Sequence, residues 1–136
     1  MKSVFADAYY FIALLNPRDR GHALAARWTA GNKGAIVTTG FVLMEVADGM
    51  AKYGGHGVFG RWYRSVERHP GFRLIPASHE LFQRGLKLYL DRADQYWTLT
   101  DCTSFVVMDD LGLTEALTAD RHFEQAGMIP LLRPPD

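Results

Sequence analysis

The chain has 136 residues, and its hydrophobic share of 48% is typical of one soluble globular domain. Fifteen basic and fifteen acidic residues cancel, which excludes a strong overall attraction to nucleic acid or to an anionic membrane. The longest apolar run, residues 8–15, is too short to cross a membrane, and a single cysteine excludes an internal disulfide, so we expect a cytoplasmic protein.

Short apolar strands alternate with helices along the chain. Helices are predicted at residues 8–15, 20–30, 41–53, 58–68, 78–93 and from about 99 onward. Asp19 is expected to cap the second of them. Strands are predicted at residues 3–6, 35–38, 72–76, 115–119 and 128–132. This alternation predicts an α/β fold, with a central, mostly parallel sheet of about five strands between two layers of helices. We expect one domain over residues 1–132 and a short proline-rich tail over 133–136.

Three aspartates are predicted to meet at one edge of this sheet. Asp7 and Asp120 follow the first and fourth strands, and the helix that begins near Asp101 must start at the same edge to lead back into the fourth strand. Two carboxylates about 4 Å apart repel by roughly 4 kcal/mol at an effective dielectric constant near 20. A bound Mg²⁺ or Mn²⁺ would relieve this repulsion and could activate water against a phosphoester. Helix capping and turn formation remain alternative roles for these side chains.

Two other residues near these aspartates have competing interpretations. The spacing of Glu45 favours a solvated stripe shared with Asp48 and Lys52, although its side chain is near enough to lean toward the sheet edge. Cys102 could be a nucleophile, but no base partner is apparent and a small buried hydrophobic role is favoured.

Four blocks of sequence resemble the PIN domains of VapC-type toxins. In chain order they are VFADAYYFIALLNPRD, TTGFVLMEV, WTLTDCTSFVVM and LTEALTADRHFEQAG. The resemblance implies a metal-dependent endoribonuclease that cleaves RNA as the toxin of a type II toxin-antitoxin pair, with a cognate antitoxin and a homodimeric state. An alternative is a PIN fold that only binds RNA or protein. A phosphoacceptor domain built on Asp7 is disfavoured because position 9 is a tyrosine and not a second acid.

The acidic quartet of that family falls on Asp7, Glu45, Asp101 and Asp120. The resemblance implies that Asp7 and Asp101 are direct ligands of Mg²⁺ or Mn²⁺ and that the other two acids complete the catalytic site. For Glu45 it overrides the interpretation from spacing. The chain departs from the family at Ala8, where a serine or threonine commonly supports the first acid.

Several polar residues near Asp101 and Asp120 have two interpretations. Thr100, Thr103 and Ser104 could supply hydroxyl support to Asp101 or cap the helix start. His122 is suited to proton transfer, but a structural role is favoured at such a position. Arg121 is the better candidate for contact with RNA.

Three more arginines lie at helical spacing around two aromatic residues. Arg61, Arg64 and Arg68 flank Trp62 and Tyr63, a combination that suits RNA backbones and stacked bases. The same stripe could face an antitoxin or a second subunit, or it could simply be solvated. The residues alone do not separate these alternatives.

Overall fold

The computed structural model describes residues 2–32 and 34–134. The strands in these ranges are β1 (Val4–Ala6), β2 (Ile36–Thr39), β3 (Phe72–Ile75), β4 (Glu115–Leu117) and β5 (Ile129–Pro130). The helices are α1 (Ala8–Leu15), α2 (His22–Gly31), α3 (Gly40–Ala51), α4 (His56–Val66), α5 (His79–Asp91), α6 (Leu99–Leu111) and α7 (Arg121–Gln125). None of these helices has the length and apolarity needed to span a bilayer.

The five strands form one parallel sheet in the order β3-β2-β1-β4-β5. β1 is the central strand, and all three of its residues are buried. It pairs with β2 through Val4 opposite Ile36, and with β4 through Phe5 opposite Ala116. The predicted α/β fold with a five-stranded parallel sheet is confirmed. The chain places β2 and β3 on one side of β1 and later places β4 and β5 on the other side. Parallel sheets bind ligands at such a switch point, in the crevice beyond the carboxyl ends of the strands, here those of β1 and β4.

Local details differ from the predictions in three places. β4 ends at Leu117, so three residues and not one separate it from the start of α7, which had not been predicted as a helix. Asp19 does not cap α2; the cap position is Gly21, and Asp19 Oδ1 accepts a bond from its backbone N–H at 2.8 Å. In the predicted tail, Arg133 forms an ion pair with Glu124 at 2.9 Å, while residues 135 and 136 lie outside the described part.

An aromatic cluster joins the sheet to α6 and α7. Phe5 of β1 lies 6.4 Å from Phe123 of α7, and Phe123 contacts Phe105 of α6 edge-on at a ring separation of 4.9 Å. Trp97 packs on Phe105 at 5.1 Å and donates a hydrogen bond to Gln125 at 3.2 Å. The cluster therefore fixes the start of α6 and the whole of α7 against the central strand.

Helices α5 and α6 approach closely because a glycine lies at their contact. A methyl group on Gly85 would stand 2.5 Å from Thr103 Cγ2 and 3.2 Å from the Thr103 backbone. Gly60 of α4 offers a contrast, because a methyl group there would meet only the end of Arg64, at 4.0 Å.

We expect Gly85→Ala to destabilise the protein by about 1–3 kcal/mol, because the added methyl group would push α5 away from α6. Gly60→Ala is the matched control and should be neutral or stabilising by up to about 1 kcal/mol, since alanine favours a helix interior. Urea unfolding of both variants tests this, and equal effects at the two sites would contradict the close packing of α5 on α6.

Candidate active site

Acidic side chains converge on a cavity of about 420 Å³ beyond the carboxyl ends of β1 and β4. All four acids of the predicted quartet line it: Asp7, Glu45, Asp101 and Asp120. His122 also lines it, whereas none of its described lining residues is a lysine or arginine. Asp7 and Asp101 are almost fully buried, with relative exposures of 7% and 6%, while Glu45 is exposed. The cavity thus gathers four carboxyl groups, with a histidine but no lysine or arginine among its described lining residues.

Asp7 is held by a threonine that directly follows the neighbouring strand β4. It occupies the cap position of α1 but makes no capping bond there; instead its Oδ2 accepts a bond of 2.9 Å from the Thr118 hydroxyl. Thr118 is fully buried, and its hydroxyl also accepts from the backbone N–H of Asp120 at 3.0 Å. This hydroxyl supports the first acid in a chain where Ala8 cannot. Sequence reasoning missed Thr118, although a threonine just beyond an apolar strand was the available signal.

Asp101 is the third residue of α6 and not its cap. Thr98 caps the helix by accepting from Asp101 N at 3.0 Å, while Asp101 Oδ2 accepts from Thr98 N at 3.1 Å. This reciprocal pair is a capping box, and the Thr-x-x-Asp spacing was its signal in the sequence. The capping role considered for Asp101 is therefore real, and it leaves Asp101 Oδ1 free of these bonds.

The hydroxyl groups of Thr103 and Ser104, which were considered as support for Asp101 or as helix caps, do not bond to Asp101. The Thr103 hydroxyl donates to the Thr100 carbonyl within the same helix, at 2.7 Å. The Ser104 hydroxyl is buried without a hydrogen-bond partner among the described residues. Thr98 supplies the contact to Asp101 instead, through its hydroxyl and its backbone N–H.

Asp120 and His122 approach Asp101 from α7. Asp120 caps this helix, its Oδ1 accepting from His122 N at 2.9 Å. The imidazole Nδ1 of His122 lies 2.8 Å from Asp101 Oδ2 and 3.7 Å from Asp120 Oδ2. One ligand atom from each of the three residues lies within 4.8 Å of the others, a spacing compatible with one bound cation. The sequence favoured a structural role for His122. In the structure, its ring lies beside the carboxylates of Asp101 and Asp120 in the cavity.

Burial and mutual repulsion change the protonation of the acids. Burial raises the pKa of Asp7 from 3.8 to about 7, opposed by the nearby Ala8 backbone N–H and the Thr118 hydroxyl, while the charges of Asp101 and Glu45 raise it further. The pKa of Glu45 is also raised, first by burial and then by the charges of Asp101 and Asp120. A divalent cation would reverse both effects, since it favours the ionised carboxylates.

Cys102 does not take part in this site. Its side chain is fully buried in the core, and burial together with the adjacent Asp101 carboxylate raises the pKa of the thiol to about 11. A thiol with such a pKa is not a ready nucleophile. The small hydrophobic role favoured from sequence fits these contacts.

The four predicted RNA-binding arginines do not line the acidic cavity. Arg61, Arg64, Arg68 and Arg121 are all exposed. The aromatic residues between the first three are used for packing: Trp62 contacts Phe11 at 5.0 Å, and Tyr63 stacks on Phe59. Trp62 and Tyr63 are half-buried in these contacts, so only part of each ring faces solvent, and base stacking on them stays a prediction.

The PIN domain family model matches residues 4–128. The chain belongs to the PIN domain family. Over 132 residues this PIN domain is 25% identical to the 23S rRNA-specific endonuclease VapC20 of Mycobacterium tuberculosis, covering 93% of this chain and 95% of that protein. The resemblance inferred from the four sequence blocks is therefore confirmed.

Solved structures share the fold of this PIN domain. The crystal structure of M. tuberculosis VapC20, described as a Sarcin-Ricin loop cleaving toxin, has a TM-score of 0.83 at 23% identity and covers 93% of this chain and 96% of that one. A toxin-antitoxin complex from Klebsiella pneumoniae has a TM-score of 0.61 at 19% identity, with 87% of each chain covered. FitAcB from Neisseria gonorrhoeae has a TM-score of 0.64 at 13% identity, over 93% of this chain and 94% of that one.

We expect the ion-free PIN domain to lose stability as the pH rises from about 5 to 8. The folded state keeps the Asp7 proton up to about pH 7, whereas the unfolded chain releases it near 3.8, so folding becomes less favourable across this interval. About 3 kcal/mol of the loss falls between pH 5 and 8, out of about 4 kcal/mol over the whole interval between the two pKa values. Thermal melts in a chelator should therefore show a falling Tm with rising pH.

Asp7→Asn should remove most of this pH dependence, because asparagine keeps an oxygen for Thr118 but carries no charge. Asp109→Asn, an exposed position on α6, is the control and should behave like the wild type. A wild-type Tm that is flat from pH 5 to 8 would show that Asp7 is not protonated in the folded state.

Proposed function

We propose that this protein is a Mg²⁺- or Mn²⁺-dependent endoribonuclease, the toxin of a type II toxin-antitoxin pair. The observation that carries the proposal is the convergence of four carboxylates on one cavity that has no lysine or arginine among its described lining residues. Relatedness to VapC20, an endonuclease, supports RNA as the substrate. RNA as substrate also leads us to propose the cytoplasm as the place of action.

The residues present fit a hard divalent cation. Carboxylate oxygens are the ligands that Mg²⁺ and Mn²⁺ prefer. Burial, followed by the charges of the neighbouring acids, raises the pKa of Asp7 and of Glu45, and a bound cation would offset both causes. We propose Asp7 and Asp101 as the direct ligands, with Glu45 and Asp120 completing the site. The ion would supply Lewis acidity toward a phosphodiester and a more acidic water.

The protein itself contributes orientation. Thr118 holds one oxygen of Asp7, the capping box holds one oxygen of Asp101, and the α7 backbone holds one oxygen of Asp120. These bonds use one oxygen of each aspartate, and all three aspartates line the cavity. Such fixed carboxylates lower the entropic cost of assembling the site when substrate and ion arrive.

We further propose a cognate antitoxin and a homodimeric state for this protein. The fold match to the toxin-antitoxin complex from K. pneumoniae supports the first, and the homodimer rests on the family resemblance. Co-expression with a small open reading frame next to the gene, followed by light scattering of the purified protein, tests both.

The cleavage test uses 23S rRNA first, because that is the RNA named for VapC20. Wild-type protein should cleave it with Mg²⁺ or Mn²⁺ and not with EDTA. Asp101→Asn should lose about 100-fold or more of this activity, since it removes a proposed ligand. Asp109→Asn, the same substitution near the other end of α6, should retain activity. Undiminished cleavage by Asp101→Asn would reject the mechanism.

The alternative of a PIN fold that only binds RNA predicts a different result. RNA would bind without turnover under any metal condition, and Asp7→Asn would leave that binding unchanged.

The arginine residues are tested by binding, with the cleavage-deficient Asp101→Asn protein as background. If Arg61 and Arg64 contact phosphates of a single strand, Arg61→Gln with Arg64→Gln should weaken binding and reduce the slope of log K against log salt by about 1.4. Arg121→Gln should reduce the same slope by about 0.7. Arg27→Gln, an exposed arginine of α2, is the control for net charge. Equal effects of Arg27 and the tested residues would reject a specific RNA-binding role for them.

A further inference from the structure

His122 contacts two of the proposed metal-binding acids at once. Its ring Nδ1 lies 2.8 Å from Asp101 Oδ2, and its backbone N–H donates to Asp120 Oδ1 at 2.9 Å. The ring is mostly buried, with 28% of the side chain exposed. No other described residue reaches both acids through side-chain and backbone hydrogen bonds.

Asp101 Oδ2 receives two donors when His122 carries its proton on Nδ1. One is the imidazole, and the other is the Thr98 backbone N–H at 3.1 Å. A carboxylate held through one oxygen by donors from two separate helices cannot rotate freely, so its other oxygen keeps one direction. Because an ionised carboxylate oxygen can only accept a hydrogen bond, the shared proton is assigned to Nδ1 of His122.

We propose that His122 is a positioning residue, which clamps Asp101 so that Oδ1 is presented to the divalent cation. This inference rests on the proposed function, because it presumes that Asp101 binds the ion. His122 thereby takes part in the arrangement of the site without contacting the ion or the reacting phosphate. Partners of this kind commonly change metal affinity by about 10- to 100-fold when removed.

Direct ligation by the imidazole is the competing arrangement. Nδ1 and one oxygen each of Asp101 and Asp120 are close enough to surround an ion. A nitrogen ligand would favour Mn²⁺ strongly over Mg²⁺, because imidazole suits the transition metals and Mg²⁺ prefers oxygen. A clamp on a carboxylate affects the two ions alike, and this difference separates the arrangements.

The test measures the Kd of Mg²⁺ and of Mn²⁺ by calorimetry for the wild type and three variants, in the absence of RNA. His122→Asn places an amide N–H₂ near the position of Nδ1 and should retain most of the affinity. His122→Gln carries its amide farther out, near the position of Nε2, and His122→Ala has no donor. Both should weaken Mg²⁺ and Mn²⁺ by about the same factor, of the order of 10-fold.

Each outcome decides the proposal. Loss of Mn²⁺ affinity alone would assign a direct ligand, and unchanged affinity in the glutamine variant would reject any role in positioning. If the alanine variant does not fold, the comparison of asparagine with glutamine still carries the test. Absence of ion binding by the wild type would reject the proposed function itself, which keeps that failure distinct from a failure of the His122 clamp.

Discussion

One buried hydrogen bond, from the Thr118 hydroxyl to the Asp7 carboxylate, links the two strands whose ends form the acidic cavity. Asp7 is the most strongly perturbed acid of the site, because it is buried among other carboxylates. Without a fixed donor, it would relieve the repulsion by turning away. Thr118 prevents this, and its second bond, from Asp120 N, sets the start of α7 at the same time. The acids are thus held together in spite of their charge.

The apolar core provides the support beneath these polar contacts. Phe5, Phe105 and Phe123 lie in three different elements, and each of those elements carries an acid of the site at its edge. Hydrophobic burial favours this packing regardless of the state of the carboxylates. The apolar packing therefore offsets the repulsion between the clustered carboxylates. Functional sites with clustered charge are commonly compensated in this way elsewhere in the fold.

Much of this arrangement could be predicted from the sequence. The strands are short apolar runs with clear breaks, so the parallel sheet follows from their alternation with helices, and the positions of Asp7 and Asp101 at its edge follow from the topology. Glu45 could not be placed in that way, because its local pattern is that of a solvated helix face. Thr118 and His122 were missed or underrated because their partners lie 111 and 21 residues away, and local patterns carry no record of such contacts. For Trp62 and Tyr63 the sequence left several roles open, and their packing on Phe11 and Phe59 depends on contacts that helical spacing alone does not specify.

The central position of β1 determines when the sheet can be completed during synthesis. β1 is made first, yet one of its two neighbours, β4, is among the last elements of the chain. A nascent chain that ends before β4 has neither Thr118 to hold Asp7 nor the segment that carries Asp120. On the ribosome, therefore, the acidic cavity becomes complete only after β4 and the residues that follow it have emerged.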